Sequence, residues 1–199
     1  MTKVGIIGGS GFAGEELIKL LSLHDSSSIV AISSRELKNT PVSDLFQGTD
    51  LNFVDPEDNI FFQCDVVFFA TPHGTAMKKA DSFIQEGIKV IDLSADFRLK
   101  DPSIWKEWYG SNHKDLENLK NSIYGLTEIN AELIETGNLV AVPGCYPTAS
   151  ILGLLPIVSN KLPIDSIIID AKSGISGAGR TKFNESLKDD IQENFKAYA

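Results

Sequence analysis

Cysteine is scarce in this sequence: among 199 residues there are only Cys64 and Cys145, far apart and in different local settings. That argues against a disulfide framework or a cysteine-built zinc site, no metal is expected, and a reducing, cytoplasmic setting is the expectation. Positive charge is also in short supply, with 18 Lys and Arg against 27 Asp and Glu and a formal net charge of −9. Such a chain does not track a nucleic-acid backbone, although a local cluster of donors can still hold a small anion. Long apolar runs are missing: none approaches the roughly 20 residues that cross a bilayer. The opening residues run straight into a glycine-rich turn and do not read as a signal peptide. No internal repeat or low-complexity tract is present. Hydrophobic residues at 42% and charged residues at 23% are ordinary for a globular chain, long enough for one sizeable domain or one plus part of another.

What is there alternates in period. Short β-branched runs at residues 4–7, 29–32, 65–70, 89–94 and 139–142 are separated by stretches of helical character. In the first of these stretches Ala13, Leu17, Leu20 and Leu21 share one predicted face, and a second helix is predicted over about 75–86. Continuous apolar strands between amphipathic helices mean parallel strands buried on both faces, a doubly wound, Rossmann-like α/β sheet. Residues 96–138 break this pattern with Pro, Trp, Tyr, Asn and Gly and are expected to be an ordered excursion. After Cys145 come a helix at about 148–159, a strand at 166–171, a glycine-rich loop and a polar, helical tail. The expected division is a nucleotide-binding domain at 1–145 and, at 146–199, the incomplete beginning of a second, α+β substrate domain.

Gly9-Ser10-Gly11-Phe12-Ala13-Gly14 follows a strand-like run and opens an amphipathic helix, and Gly8 adds a second frame. In that context G-x-G-x-x-G lets backbone N–H groups and a helix N-terminus approach a pyrophosphate. Twenty residues beyond Gly14 stands Ser34, flanked by Ser33 and Arg35. Hydroxyls and a guanidinium suit a ribose 2′-phosphate, which a carboxylate would repel, so NADP is expected. Glu36 could take the acid's part if the turn were shifted.

Val142-Pro143-Gly144-Cys145-Tyr146-Pro147-Thr148 sets a thiol between a buried strand and a helix whose first turn accepts Pro147. A cysteine there meets free N–H groups and the positive end of the helix dipole, which favour thiolate. Beside a nicotinamide, a thiolate can attack an acyl phosphate to give a thioester that hydride reduces to an aldehyde. Cys64, beside Asp65 at a strand entrance, reads as a buried hydrophobe. The loop Ser173-Gly174-Ile175-Ser176-Gly177-Ala178-Gly179-Arg180 offers backbone N–H groups and an arginine fork for phosphate.

Taken in order, these residues, together with Ala70-Thr71-Pro72-His73-Gly74, Val90-Ile91-Asp92-Leu93-Ser94-Ala95-Asp96-Phe97-Arg98-Leu99, Trp108-Tyr109-Gly110 and Tyr124-Gly125-Leu126-Thr127-Glu128, cover nearly the whole chain. The set resembles the N-acetyl-γ-glutamyl-phosphate reductase family, the arginine-biosynthesis branch of the aspartate-semialdehyde dehydrogenase-like superfamily. The resemblance implies NADPH-dependent reduction of N-acetyl-γ-glutamyl phosphate to N-acetyl-glutamate 5-semialdehyde and phosphate. It puts the nucleophile at Cys145 and the cofactor at Gly8, Ser10, Gly11, Phe12, Ala13, Gly14, Ser34, Arg35, Pro72, Ser176, Gly177 and Ala178. It puts Ser94 and Arg98 in the substrate crevice, Arg98 serving either as an anion anchor or in a structural ion pair.

Members of that family are longer, assemble into homo-oligomers, and carry a histidine acid/base beyond the point corresponding to Ala199. The chain is therefore expected to be truncated, to bind NADP, and to turn over poorly or not at all by itself. His24, His73 and His113 do not replace that histidine. Two rivals remain: a reductase of aspartyl or carrier-bound aminoadipyl phosphate, and a nucleotide-binding protein without catalysis.

Overall fold

In a computed structural model of the chain, residues 1–180 together with 183 and 184 are described. The helical tail expected beyond the second glycine-rich loop lies almost wholly outside the described residues. The chain begins β1 (Thr2–Ile7), α1 (Phe12–Ser22), β2 (Ser27–Ser33), β3 (Phe53–Val54) and β4 (Val66–Phe69). A 3₁₀ turn (Ala76–Lys78) and α2 (Ala80–Gln85) lead to β5 (Lys89–Asp92). Then follow α3 (Pro102–Tyr109), α4 (Leu116–Asn121), β6 (Ile123–Tyr124), α5 (Thr127–Thr136), β7 (Leu139–Ala141) and α6 (Cys145–Ser159).

The strands form one seven-stranded sheet in the order β3-β2-β1-β4-β5-β7-β6, and every ladder in it is parallel. Chain order reverses between β1 and β4, which opens a crevice at their carboxyl ends. The period-two pleat sorts side chains to two faces. Val4, Ile6 and Ile32 meet Ile18, Phe46 and Phe53 on one face. On the other, Ile7, Val67, Phe69 and Val90 meet Phe61, Phe83, Phe97 and Trp105.

Several local expectations need correction. The buried stripe of α1 is Gly14 and Ile18, with Leu17 and Leu21 packed beside it, whereas Ala13 faces outward and Leu20 is 67% exposed. Full burial of an aliphatic side chain stabilises by about 1.5–3 kcal/mol, so Ile18 anchors this helix and Leu20 does not. The helix predicted over 75–86 is split, because the Asp96 carboxylate accepts from the N–H groups of Gly74 and Met77 and fixes a separate turn there. The excursion at 96–138 contains three helices and a strand. Asp101 caps α3 by accepting from the Ser103 N–H, Pro102 opens it, and Gly110 closes it with φ of 71°.

The predicted strand at 166–171 is absent. These residues are exposed irregular chain, with Ile168 at 92% exposure. An apolar run becomes a strand by pairing, and none of the ladders among the described residues includes this segment.

Candidate active site

At the carboxyl end of β1 the glycines have separate tasks. Gly8 has φ of +87°, and a Cβ on it would lie 2.6 Å from the Ala70 carbonyl oxygen. A Cβ on Gly14 would stand 2.5 Å from the Gly9 carbonyl oxygen, so α1 packs directly on the turn. The Gly9 N–H donates to the Ser33 carbonyl at 2.8 Å. Gly11 differs: a Cβ there would meet nothing within 4 Å, and its φ of −83° suits any residue. It also begins α1 without a side-chain cap, which leaves first-turn N–H groups to an outside acceptor. A residue that the protein does not need bare, at an uncapped helix start, fits a pyrophosphate pressed against the backbone.

The ribose end of this groove comes from β2. Ser10 Oγ and Ser34 Oγ lie 3.0 Å apart, and Ser34 Oγ accepts from the Leu37 N–H at 3.3 Å. Arg35 is exposed beside them, as is Glu36. Pro72 and His73 are exposed just beyond β4, and the His73 ring sits 5.3 Å from that of Tyr109. Nearby, the buried Thr71 hydroxyl has no hydrogen-bond partner among the described residues.

The second half of the site is the turn after β7. Gly144 caps α6 through its backbone alone, and exposed Cys145 is the first helical residue, three residues earlier than the helix start predicted near 148. Arg98 braces this turn: Nε donates to the Val142 carbonyl at 2.7 Å and Nη2 to the Leu93 carbonyl at 2.8 Å. Hydrogen bonds from a charged donor contribute about 1.5–3 kcal/mol each, so this fork ties the ends of β5 and β7 together. Nη1 comes within 3.2 Å of where a Gly144 Cβ would be, a reason for glycine at a cap position that Ser or Asp would otherwise favour.

Ser94 is buried; its hydroxyl donates to Asp92 and accepts from the Asp96 N–H. Burial pushes the Asp92 carboxyl up to about 6, against the opposing pull of its Ser94 hydrogen bonds and the Arg98 charge.

The site residues thus fall into groups. Gly8, Ser10, Gly11, Phe12, Ala13, Gly14, Ser34, Arg35 and Pro72 stand just beyond the carboxyl ends of β1, β2 and β4. Cys145, with Arg98 behind it, lies three strands away along β1-β4-β5-β7, about 14 Å at the usual strand spacing. Ser176, Gly177 and Ala178 form an exposed 3₁₀ turn (Ile175–Ala178). Arg180, expected to fork onto phosphate, instead pairs with Glu15 and donates to the Ser10 carbonyl. Cys64 is buried, and burial together with the neighbouring Asp65 charge pushes its thiol up to about 11, which makes it inert.

Two of the three histidines are held by hydrogen bonds: His24 Nδ1 accepts from the Ser26 N–H, and the buried His113 bonds the Asp96 carbonyl and the Asp115 N–H. Sequence reasoning missed the task of Asp96, which pins the loop bearing His73. It also missed Lys100, whose ammonium caps α4 by bonding the carbonyls of Leu119, Lys120 and Ser122. The alternate spacing Asp92-x-Ser94-x-Asp96 after a buried strand was the available signal for the first. For the second there was none.

The family model "Semialdehyde dehydrogenase, NAD binding domain" matches residues 3–137, and "Semialdehyde dehydrogenase, dimerisation domain" matches residues 145–199. Among curated relatives, a protein of Ruthia magnifica named N-acetyl-gamma-glutamyl-phosphate reductase is 48% identical over 203 residues, covering 100% of this chain and 60% of its own length. One of the same name from Nitrosospira multiformis is 47% identical over 203 residues, covering 100% of this chain and 59% of its own. The chain spans about 60% of the length of these relatives. Among solved structures, aspartate semialdehyde dehydrogenase II from Vibrio cholerae superposes with a TM-score of 0.73 at 19% identity, covering 100% of this chain and 55% of that one. An aspartate semialdehyde dehydrogenase with NADP from Candida albicans gives 0.58 at 19% identity, covering 83% and 49%. At that identity the likeness is one of fold.

Proposed function

This chain belongs to the semialdehyde dehydrogenase family, and from that premise we propose that it carries the cofactor and nucleophile halves of an NADPH-dependent reductase of N-acetyl-γ-glutamyl phosphate. The observation that carries this reading is an exposed thiol opening α6 at the same carboxyl edge of the sheet as the uncapped glycine turn. The names of the 45–48% identical relatives support the substrate.

Gly11, Phe12 and Ala13 present the N–H groups that hold the pyrophosphate. Ser10, Ser34 and Arg35 hold the 2′-phosphate. Ser176, Gly177 and Ala178 close over the nicotinamide end.

Cys145 Sγ attacks the acyl carbon of the substrate; the S–C bond forms, the C–O bond to phosphorus breaks, and inorganic phosphate leaves. When held at Gly11, Phe12 and Ala13, a reduced nicotinamide dinucleotide would supply the hydride that takes a thioester on Cys145 to the aldehyde, with Cys145 leaving as thiolate. Arg98 keeps the Cys145 turn registered against β5, and the bare N-terminus of α6 offers N–H groups to the oxygen that gains charge during attack. The chemistry requires a free thiol and hence a reducing compartment. The match to a dimerisation domain supports self-association of the whole enzyme.

Mass spectrometry of the chain after exposure to N-acetyl-γ-glutamyl phosphate tests the reading. An acyl adduct is expected on Cys145, lost in Cys145→Ser and kept in Cys64→Ser. No adduct, or faster labelling by aspartyl phosphate than by the N-acetylated substrate, overturns it.

A further inference from the structure

Glu15 stands in the first turn of α1, where the helix presents the N–H groups assigned above to a pyrophosphate. An acid there favours the helix but opposes a bound anion. Its near partner, Lys19, is divided: the ammonium lies 2.9 Å from both Glu15 and Glu16 and is 47% exposed. The other partner comes from the far end of the described chain. The Arg180 guanidinium pairs with Glu15, with both side chains less than 30% exposed. Its Nε donates to the Ser10 carbonyl at 3.1 Å, and its Cζ lies 4.3 Å from the centre of the Phe12 ring. Phe183, next along, meets the Phe12 ring edge-on at 5.5 Å. The intervening residues 173–178 are exposed, so these contacts fasten that loop to the glycine turn.

We propose that Arg180 is a positioning residue for the dinucleotide: it neutralises Glu15 beneath the phosphate-binding N–H groups and ties the loop at 173–179 to the turn that holds the cofactor. This rests on the cofactor reading above. Arg180 is not itself the phosphate ligand, because its fork is already committed to Ser10 and Glu15. The loop and its tether therefore act together: the arginine that brings Ser176, Gly177 and Ala178 to the crevice also removes the charge that would repel the ligand they enclose. The Lys19 ammonium, and after it the Arg180 guanidinium, hold the Glu15 carboxyl below the ordinary carboxylate range.

The test is equilibrium binding of NADPH to the 199-residue chain, followed by cofactor fluorescence, in the wild type, Arg180→Ala, Glu15→Gln and the double variant. Arg180→Ala is expected to weaken binding about tenfold, the scale of a partly buried charge at a helix end. Adding Glu15→Gln is expected to restore affinity to within about threefold of wild type, because the uncompensated carboxylate is gone. A purely structural tether would not be rescued in this way. Arg180→Lys, which keeps the charge and loses the fork, should fall between. Wild-type affinity in Arg180→Ala, or a double variant as weak as Arg180→Ala, overturns the proposal. Melting temperatures of the same four proteins separate the two ways of failing. Non-additive melting without any NADPH binding counts against the cofactor reading, whereas additive melting with binding intact counts against the Arg180–Glu15 contact.

Discussion

The two glycine-rich loops, at residues 8–14 and 173–179, have similar composition and opposite physics. In the first, most glycines are imposed from within: side chains at 8, 9 or 14 would overlap the backbone of Ala70, the side chain of Ile32 or the backbone of Gly9. In the second, a Cβ on Gly174 would come no nearer than 3.8 Å to the Ser176 hydroxyl, one on Gly177 would meet the movable Ser173 hydroxyl at 2.6 Å, and Gly179 is set by its φ of +89° with nothing within 4 Å among the described residues. The first loop is welded to the sheet by its own backbone; the second is tied to the first by the side chains of Arg180 and Phe183. A glycine motif therefore says little until one knows what presses on each glycine. Gly11 is the informative member, since it sits in the welded loop but nothing among the described residues presses on it.

The comparison breaks most visibly at Gly14. Gly14→Ala is expected to cost about 3 kcal/mol, the upper end for overpacking against atoms that cannot yield, seen as a lower urea midpoint. Comparable destabilisation from Gly174→Ala would erase the distinction.

Acidity sharpens it next. Burial raises the Asp92 carboxyl to about 6 from 3.8, so the folded chain holds that proton more tightly than the unfolded one. The stabilisation is fully present below pH 3.8 and is lost as pH rises through about 6. Between pH 5 and 7.5 the sheet should lose about 1.4 kcal/mol, the equivalent of the single unit from 5 to the folded value of about 6, while hydrogen exchange in the loop at 173–179 keeps the same opening energy. Asp92→Asn should flatten the pH dependence of melting.

Gly11→Ala should leave the melting temperature alone and weaken NADPH binding about tenfold by blocking backbone approach, with isothermal calorimetry as the measure. The smallest effect belongs to Gly174→Ala, within about 0.5 kcal/mol of wild type in stability.

How much could be read beforehand follows the same division. Continuous β-branched runs announced β1, β2, β4, β5 and β7, because burial on both faces leaves no other pattern. Pro147 placed Cys145 at or just before a helix start. The short strands β3 and β6 carried no such signature: their two residues each hold position through neighbours distant in sequence. Asp101-Pro102 and Gly110 were ordinary helix boundary signals, outweighed by the irregular composition around them. Periodicity misjudged α1 because Gly14, which has no side chain to count, occupies the buried stripe. The run at 166–171 shows the converse, strand-like residues in a segment without a ladder. The carbonyl-binding tasks of Arg98 and Lys100 were invisible, since each depends on which chain ends converge.

The place of β7 between β5 and β6 carries a consequence for synthesis. A chain emerging from its N-terminus can lay down β1, β2, β4 and β5 against strands already made. The stretch that becomes β6 pairs only with a strand not yet translated, so it must wait at the ribosome's mouth while α5 forms. The sheet is completed by the same few residues that deliver Cys145, so that a chain lacking its final interior strand also lacks the exposed thiol that opens α6.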